Sequence, residues 1–536
     1  MARFSRIAAA LAAPTVLAVV VAGCGSGGSS AASGGASAGV STGPTAAASA
    51  GKPVAGGNLV IARTQDSQSM NNTTAIDNES NWIFEQIYEP LYTVSNDGKS
   101  VVPDLATSYQ VSADKKTYTF TLRKGVKFSN GQPMTSKDVV FSLNQARAAK
   151  AGWGFIDTAI SSVSGPTADT VVVNLKFAWA PLLADLSLFS NDIIPANYGG
   201  KTEAAFYQAP IGTGPFKWDY WHKGQALKLT KNTNYWKPGQ PYLDSVTWTD
   251  TPSDNTRQLQ LQGGQAQVDE FPAWSSVAAL KSTPNVTMNL FNSTRTDYML
   301  INETRKPFND VHVRRAISEA IDRNAMIKAV LFGNGTPANS FLPPQVPFYQ
   351  KSTAGLQLNL AAAKKDMAAS SVPNGFTTTL LIGAGKSDDA TMAAILQAEL
   401  KPIGINVKIQ QLDPNTVSTN YQNLDYDMTF TYWTMDIPDP DELVTFAVDP
   451  ASGAKSFYTG YNNPTVAADT HAAEKTLSTS ARQTLYNTIQ TDAANDAFLT
   501  QFYYSPYAYA TTSSVKGFYV TPLGNYHLED VWMGNS

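Results

Sequence analysis

Residues 118–139 read YTFTLRKGVKFSNGQPMTSKDV and carry the clearest local folding pattern in the chain. The first five residues alternate between large apolar and Thr side chains, a pattern typical of a strand with one buried face. Asn130-Gly131 predicts a hairpin turn. Thr135, followed three residues later by Asp138, predicts a capping box at the start of a helix. This segment therefore predicts a strand, a turn and a helix in succession.

The same mixture extends outward along the chain. Strands are predicted at residues 59–62, 171–175, 227–230, 246–248, 377–382, 405–410 and 426–432. Helices are predicted at residues 82–88, 389–400 and 478–492, with one long amphipathic helix from Val311 to Ala329. The order strand 377–382, helix 389–400, strand 405–410 is typical of a βαβ unit. The sequence predicts an α/β fold with more than one sheet.

The amino-terminal segment carries an export signal. Arg3 and Arg6 precede an apolar run from Ile7 to Ala22, which is too short for a transmembrane span. Gly23 and then Cys24, the only cysteine in 536 residues, follow the run. A thiol directly after the cleavage site predicts a lipoprotein signal peptide at residues 1–23, with two acyl chains added through Cys24. An ordinary secretory signal with a chance cysteine remains the alternative.

Residues 24–56 contain mainly Ser, Gly, Ala, Thr and Pro, a composition that predicts a flexible tether. The chain has 39 basic and 43 acidic residues, and loss of residues 1–23 removes two Arg, which changes the net charge from −4 to −6. Because the Lys and Arg residues are scattered, no nucleic-acid partner is expected. The 480 residues from 57 to 536 are enough for two to three domains.

Several ordered motifs resemble the extracytoplasmic solute-binding proteins of peptide- and nickel-type ABC importers, family 5, which includes oligopeptide- and dipeptide-binding proteins. Residues 118–139 are similar to the signature of that family, although Asn130 stands where Asp is usual and Ser136 where Ala is usual. Similar stretches follow at residues 211–216, 234–236, 307–323 and 436–440. The glycines Gly212 and Gly214 suit a tight turn between domains.

The resemblance implies a two-lobed, periplasmic-binding-protein-like fold of the class II or cluster C type, with an extra subdomain in lobe one. Lobe one would take residues 57–295 and 505–536, with the inserted subdomain at about 95–210, and lobe two would take residues 296–504. It implies a lipid-anchored protein on the extracytoplasmic face of the cell membrane. The expected partners are a peptide or peptide-like solute and the permease subunits of an ABC importer. We expect a monomer and no cofactor.

The resemblance also points to site residues. In peptide-binding relatives the carboxylate of a Trp-x-x-Asp pattern pairs with the α-ammonium group of the ligand, and Trp433 and Asp436 match that pattern. A carboxylate in a closed cleft makes a strong charge-assisted hydrogen bond to an ammonium group. The alternative is that Asp436 merely caps the turn before Pro438.

Further candidates are Asp66 and Gln68, which follow the first strand, and the aromatic residues Tyr432 and Tyr458. Asn71-Asn72 replaces the usual acidic-proline pair after that strand, which leaves its register open. Dipeptide-binding relatives receive the ligand carboxylate on an Arg before the helix that leads to the strand at residue 405. Residues 383–387 contain Lys386 but no Arg, and Lys lacks the bidentate grip of a guanidinium group.

No catalytic Ser, Cys or metal-ligand spacing is apparent in the sequence, and the four histidines lie far apart. The sequence therefore predicts a binding protein with no catalytic residues and no metal site. Two alternatives stay open: a secreted, lipid-anchored hydrolase, such as a glycosidase with paired carboxylates, and a peptide-sensing receptor of the same fold.

Overall fold

The protein is described by a computed structural model that covers residues 51–150, 152–351 and 355–534. The predicted signal peptide, Cys24 and most of the predicted tether lie outside these residues. The strands are β1 Asn58–Arg63, β2 Tyr92–Val94, β3 Val101–Pro103, β4 Ala106–Val111, β5 Thr117–Leu122, β6 Ile160–Thr167, β7 Thr170–Leu175, β8 Phe216–His222, β9 Ala226–Lys231, β10 Ser245–Asp250, β11 Val268–Glu270, β12 Val286–Phe291, β13 Thr296–Ile301, β14 Thr336–Pro337, β15 Phe376–Gly383, β16 Ile405–Leu412, β17 Met428–Trp433, β18 Leu499–Tyr504, β19 Tyr507–Thr512, β20 Val515–Lys516 and β21 Trp532–Met533. The helices are α1 Asn78–Ile87, α2 Ser136–Ala148, α3 Leu182–Asp185, α4 Glu203–Gln208, α5 Asp254–Gln262, α6 Val277–Leu280, α7 Val311–Glu319, α8 Arg323–Val330, α9 Leu360–Ala369, α10 Ser387–Leu400, α11 Pro414–Gln422, α12 Asp441–Val448, α13 Pro464–Lys475 and α14 Thr479–Asp496.

The stretch at residues 118–139 folds as its pattern predicts. Strand β5 alternates buried and more exposed side chains, and Gly131 takes φ +88° in the turn. The N–H of Thr135 donates a 2.8 Å hydrogen bond to Oδ2 of Asp138, which closes the capping box and starts α2. Strand β5 lies in a four-stranded antiparallel sheet of order β4-β5-β7-β6, against which α2 packs.

Two larger mixed sheets form the main body. A seven-stranded sheet has the order β12-β19-β11-β1-β10-β9-β8, in which β1 runs parallel to both of its neighbours. A six-stranded sheet has the order β14-β18-β13-β17-β15-β16. Within it, β15 and β16 are parallel and joined by α10, so the predicted βαβ unit is confirmed. Below, the first lobe and the second lobe mean the parts built on the seven-stranded and the six-stranded sheet.

The chain crosses between the two sheets twice. It leaves the first lobe after β12, at Phe291, and enters the second lobe at Thr296; it returns between Tyr504 and Tyr507. The two crossings contact each other, because the Ser293 hydroxyl donates to the backbone carbonyl of Ser505. Two adjacent connections of this kind are the arrangement that hinge closure requires. The predicted α/β, two-lobed fold with an additional small sheet is confirmed.

One predicted helix is wrong. Instead of a single helix from Val311 to Ala329, the chain forms α7 and α8, separated at residues 320–322. The side chain of Asp322 accepts hydrogen bonds from the N–H groups of Asn324 and Ala325, and it thereby caps a second helix. A side-chain acceptor at this position starts a new helix rather than continuing the old one.

The glycines at residues 212 and 214 have a physical reason. A Cβ atom on Gly212 would lie 2.0 Å from the carbonyl oxygen of Ile87, and one on Gly214 would lie 2.7 Å from its carbonyl carbon. The end of α1 therefore packs directly on this backbone turn. None of the helices in the described part of the chain combines the length and apolar character needed to cross a membrane.

Candidate functional site

The loop at residues 433–440 connects β17 with α12 and carries the Trp-x-x-Asp pattern. It is fixed from beneath by Glu442, whose Oε2 accepts hydrogen bonds from the N–H groups of Asp436 at 2.8 Å and Ile437 at 3.1 Å. Arg482 holds the far end of the loop with two bonds to Asp439, at 2.8 and 2.9 Å. Such bidentate pairs fix geometry as well as adding energy, so the loop is held in one conformation.

The same loop contacts the first lobe and the crossing segment. The N–H of Met435 donates to the hydroxyl of Thr294 at 2.9 Å. The side-chain amide of Asn78, in α1, donates to the hydroxyl of Thr434 at 3.2 Å. Asp436 therefore lies where the two lobes and their connection meet.

The Asp436 carboxyl group is partly buried. No cationic, amide or hydroxyl group among the described residues is placed to donate a hydrogen bond to it. Desolvation, together with the nearby carboxyl groups of Glu442 and Glu85, raises the pKa of Asp436 well above its usual range. A cation placed here would remove that penalty, because it would pair with an otherwise uncompensated carboxylate.

Trp433 belongs to an aromatic cluster that spans the lobes. Its ring centroid lies 4.7 Å from that of Phe446 and 5.3 Å from that of Phe457 in the second lobe. From the first lobe, Trp153 approaches Trp433 at 6.4 Å and Phe155 approaches Phe446 at 5.9 Å. These separations are those of favourable aromatic pairs, so the lobes meet through aromatic side chains.

Tyr458 extends this cluster from a strained turn. Residues 455–458 all have φ between 44° and 57°, a left-handed turn without glycine. This conformation costs about 1–2 kcal/mol per residue, and such strain gathers at functional sites. The turn places the ring of Tyr458 at 5.9 Å from Phe446 and 5.3 Å from Tyr421.

Tyr432 marks the neighbouring wall, with 39 % of its surface exposed. The guanidinium carbon of Arg295 lies 4.1 Å from its ring centroid, a cation–π contact. Arg295 also donates two hydrogen bonds to Asp297, at 2.8 and 3.1 Å through Nη2 and Nε. Within the described residues its Nη1 makes no hydrogen bond, so one edge of the guanidinium group can still receive a carboxylate.

The candidates after the first strand are not part of this assembly. Asp66 accepts hydrogen bonds from Arg63, the indole N–H of Trp221 and the backbone N–H of Gly224, at 2.7 to 3.0 Å. Its oxygens are therefore occupied by partners in the first lobe. The side chain of Gln68 is exposed, and only its backbone N–H makes hydrogen bonds, to Asp77 and Ser80.

Sequence reasoning missed Trp153, Phe155 and Arg295. The first two had a local signal, since they alternate with Gly152 and Gly154. A Cβ atom on Gly152 would lie 2.6 Å from the backbone oxygen of Thr73, and one on Gly154 would lie 2.1 Å from that of Ala149. The loop is therefore tightly folded, and the rings of Trp153 and Phe155 project from it. Arg295 had none, because its place beside Tyr432 depends on the pairing of β13 with β17.

The arrangement comprises two lobes, two adjacent crossings, and an aromatic cluster between the lobes with a carboxyl group beside it. It defines the class of two-lobed solute-binding proteins. The model of the family "Bacterial extracellular solute-binding proteins, family 5 Middle" matches residues 100–455. The chain belongs to this family.

Similar proteins agree with this assignment. The chain is 29% identical to the glutathione-binding protein GsiB of Pectobacterium atrosepticum over 502 residues, which cover 91% of this chain and 96% of that protein. The periplasmic binding protein DppA of Helicobacter pylori in complex with the peptide STSA has a TM-score of 0.83 and 27% identity, covering 90% of this chain and 99% of the other. The oligopeptide-binding protein AppA of Bacillus subtilis with a nonapeptide has a TM-score of 0.81 and 26% identity, covering 90% and 100%.

Proposed function

We propose that the protein is a lipid-anchored, extracytoplasmic solute-binding protein that captures a peptide or peptide-like solute between its lobes and delivers it to an ABC importer. The observation that carries the proposal is the position of Asp436. Its carboxyl group lies at the meeting point of both lobes, is held by a rigid loop, and has no cationic partner among the described residues. A ligand ammonium group would supply that partner.

The likeness to GsiB, DppA and AppA supports a peptide-like solute, since their names and complexes describe glutathione, a tetrapeptide and a nonapeptide. Trp433, Tyr432 and Tyr458 would form the walls for its side chains. The carboxylate end would meet Nη1 of Arg295, which takes the place of the Arg that the sequence lacks at residues 383–387. Asp66 and Gln68 would then support the first lobe rather than bind the solute.

The lobe boundaries belong to this proposal. Lobe one would take residues 57–295 and 505–536, with an inserted subdomain at about 95–210, and lobe two would take residues 296–504. The crossings at residues 292–295 and 505–506 support these limits. Cys24 would carry the lipid anchor, and the tether would hold a monomer close to the permease.

Protein purified without refolding tests the proposal. Native mass spectrometry should show a co-purifying solute that is released chemically unchanged. Addition of the tetrapeptide Ser-Thr-Ser-Ala or of glutathione to emptied protein should lower the radius of gyration in solution scattering and raise the melting temperature, because a ligand that binds only the folded state stabilises it. Appearance of cleavage products from the bound solute would instead support the hydrolase alternative and overturn the proposal.

A further inference from the structure

A second group of carboxyl side chains surrounds a cavity of about 60 Å³ beside the loop at residues 433–440. This volume is enough for a few water molecules or one polyatomic cation, since a water occupies about 10–15 Å³ by the same kind of measure. The acidic residues that line the cavity are Glu85, Glu89, Asp104, Asp192, Asp436 and Glu529. All except Asp436 belong to the first lobe, and Trp433, Tyr432 and Tyr458 are not among the residues that line the cavity.

The two basic side chains that line the cavity both contact Glu529. Lys237 Nζ lies 3.2 Å and His527 Nδ1 lies 3.5 Å from the same oxygen of Glu529. Burial disfavours the ionised form of Glu529, but His527 and Lys237 outweigh it and lower its pKa to about 2. Two phenol groups, of Tyr88 and Tyr235, complete the titratable lining. The charge of Lys237 also opposes the rise in pKa of Glu89 and Asp104, and Arg123 adds to this effect at Asp104. None of the remaining five carboxyl groups forms an ion pair within the described residues.

Two of these carboxyl groups each have one buried oxygen without a hydrogen-bond partner among the described residues. Asp192 is 3 % exposed and its Oδ2 is buried without any partner among the described residues. The Oε2 atom of Glu85 is in the same state, although Asn525 donates to Oε1. By contrast, Glu89 accepts two 3.0 Å bonds from the indole N–H of Trp236. A buried, unsatisfied carboxyl group costs free energy unless a donor occupies the cavity.

The spacing of these groups indicates what kind of donor fits. A metal cation needs several oxygens that converge on one point at about 2.0–2.6 Å, and in residues 51–534 as described no group of three or more such side chains is placed to hold one. An ammonium or guanidinium group instead donates hydrogen bonds in several directions at about 2.7–2.9 Å. The scattered carboxyl groups therefore suit an organic cation.

We propose that this cavity receives the ammonium or guanidinium group of a solute's first side chain, so that the protein selects peptides with a basic first residue. This inference rests on the proposed function, in which Asp436 holds the α-ammonium group. Because Asp436 also lines the cavity, the side chain nearest to that ammonium is the one that can enter. An acidic first residue would be rejected by the same carboxyl groups.

The cavity also predicts a pH dependence. Burial raises the pKa of Glu85 to about 7 and that of Asp104 to about 6. Burial, followed by the charge of Glu85, raises the pKa of Asp192 well above its usual range. Entry of a cation favours the ionised carboxylates, so binding a basic first residue should release protons near neutral pH, and the affinity should increase from pH 5.5 to 8.

Titration calorimetry with two matched tripeptides, Lys-Ala-Ala and norleucine-Ala-Ala, tests the inference. We expect the lysine peptide to bind at least about tenfold more tightly, the scale of one charge-assisted hydrogen bond. Its binding enthalpy should change more steeply with the ionisation enthalpy of the buffer than that of the norleucine peptide, because ionisation of Asp436 is common to both peptides and ionisation of the cavity carboxyl groups is not. In Asp192→Asn the affinity ratio should fall towards one, and in the exposed control Asp219→Asn, which removes a surface carboxylate 3.3 Å from Lys228, it should not.

The outcomes separate the two proposals. Equal affinities of the two peptides for the wild type would overturn the inference and leave the proposed function intact. If neither peptide binds, the proposed function fails. The cavity is then tested by comparing the melting temperature in n-butylammonium chloride with that in sodium chloride at equal ionic strength. A rise in melting temperature that Asp192→Asn abolishes would then support a site for a free organic cation, and no rise would overturn it. Glu85→Gln repeats each measurement if Asp192→Asn does not fold.

Discussion

The backbone N–H of Asp436 lies 2.8 Å from Oε2 of Glu442, six residues further along the chain. This contact helps to hold the backbone at Asp436 in place, because Glu442 is fully buried at the start of α12 and also accepts the N–H of Ile437. It also places two carboxyl groups in one turn. Burial raises the pKa of Glu442 to about 8. A cation beside Asp436 and Glu442 would therefore stabilise their ionised forms, which burial disfavours.

Asp436→Asn should weaken the binding of a peptide with a free amino terminus by roughly 2–5 kcal/mol, the loss typical of a desolvated charge pair. The amide nearly matches the carboxyl group in shape, so the fold should persist. The same peptide with an acetylated amine should bind the wild type poorly. Calorimetry on both proteins measures the effect, with Asp219→Asn as the control for loss of one carboxylate. Equal affinities would mean that Asp436 is only a turn residue.

Arg295→Gln should remove the preference for a free carboxyl terminus. The wild type should bind a peptide carboxylate more tightly than the matching carboxamide by about 1.5–3 kcal/mol, the value of a hydrogen bond to a charged group. In Arg295→Gln the two peptides should bind alike. The measured quantity is the ratio of the two affinities, for the carboxylate and for the carboxamide peptide. A general loss of affinity from the disturbed Asp297 contact would weaken both peptides and leave this ratio unchanged. If Lys386→Gln abolishes the preference instead, Lys386 is the carboxylate partner.

Cys24→Ala should move the protein from the membrane fraction to the soluble or uncleaved pool. The expectation follows from Cys24 directly after a short apolar run with Arg3 and Arg6 in front, since two acyl chains are needed for stable anchoring. Fractionation of cells with immunodetection measures it, and Ser26→Ala in the tether is the matched control. Unchanged membrane association of the cysteine variant would refute the lipoprotein assignment.

The features that sequence could predict are local. The alternation in β5, the capping box at Thr135 and the βαβ unit of β15, α10 and β16 each depend on residues close together in the chain. Most strands follow for the same reason. The break between α7 and α8 was missed because the apolar stripe continues past Asp322, whose capping contacts override it.

The site could be predicted only in part. Trp433 and Asp436 stand three residues apart in a recognisable pattern, and the structure brings them to the lobe junction. Asp66 could not be judged in the same way, because its partners Trp221 and Gly224 lie 155 and 158 residues further along the chain. The carboxyl-lined cavity is formed by residues of α1, residue 192 and the carboxyl-terminal segment. These residues are far apart in the sequence, so their spacing could not predict the cavity.

Stability should fall as the pH rises from about 5 to 8. Burial raises the pKa of Asp157 and Glu303 to about 7 and that of Glu270 and Glu442 to about 8. The native state therefore binds protons that the unfolded chain has released, and stability decreases as pH increases through this range. Below about pH 4.5 the opposite trend sets in, because the lowered pKa of Glu529 makes acid destabilising. Melting temperatures at constant ionic strength measure the profile, and a flat or rising curve from pH 5.5 to 8 contradicts it.

The junction of the lobes contains a further set of facing carboxyl groups. Asp185, in α3 of the first lobe, is 1 % exposed, and its Oδ1 has no hydrogen-bond partner in the described residues. Burial, followed by the charges of Asp439 and Asp157 and then that of Glu474, raises its pKa well above the usual range. Asp439 and Glu474 belong to the second lobe. The two lobes touch here, because the backbone N–H of Ala180 in the first lobe donates to the carbonyl of Glu474 at 2.7 Å. Ionisation of Asp185 should therefore push the lobes apart.

Asp185→Asn should favour the closed form, since a neutral amide removes the like-charge repulsion and keeps the 2.6 Å contact with the indole N–H of Trp179 feasible. The ligand-free variant should have a smaller radius of gyration than the wild type in solution scattering at about pH 8, and the difference should shrink at about pH 5.5, because the raised pKa of Asp185 makes its carboxyl group more fully protonated as the pH falls. Glu270→Gln is the matched control, because Glu270, in β11 of the first lobe, is also 1 % exposed and the charges that shift its pKa all belong to the same lobe. That control should raise the melting temperature at pH 8 without changing the radius of gyration. An Asp185→Asn protein as open as the wild type at both pH values would show that this carboxyl group does not influence closure.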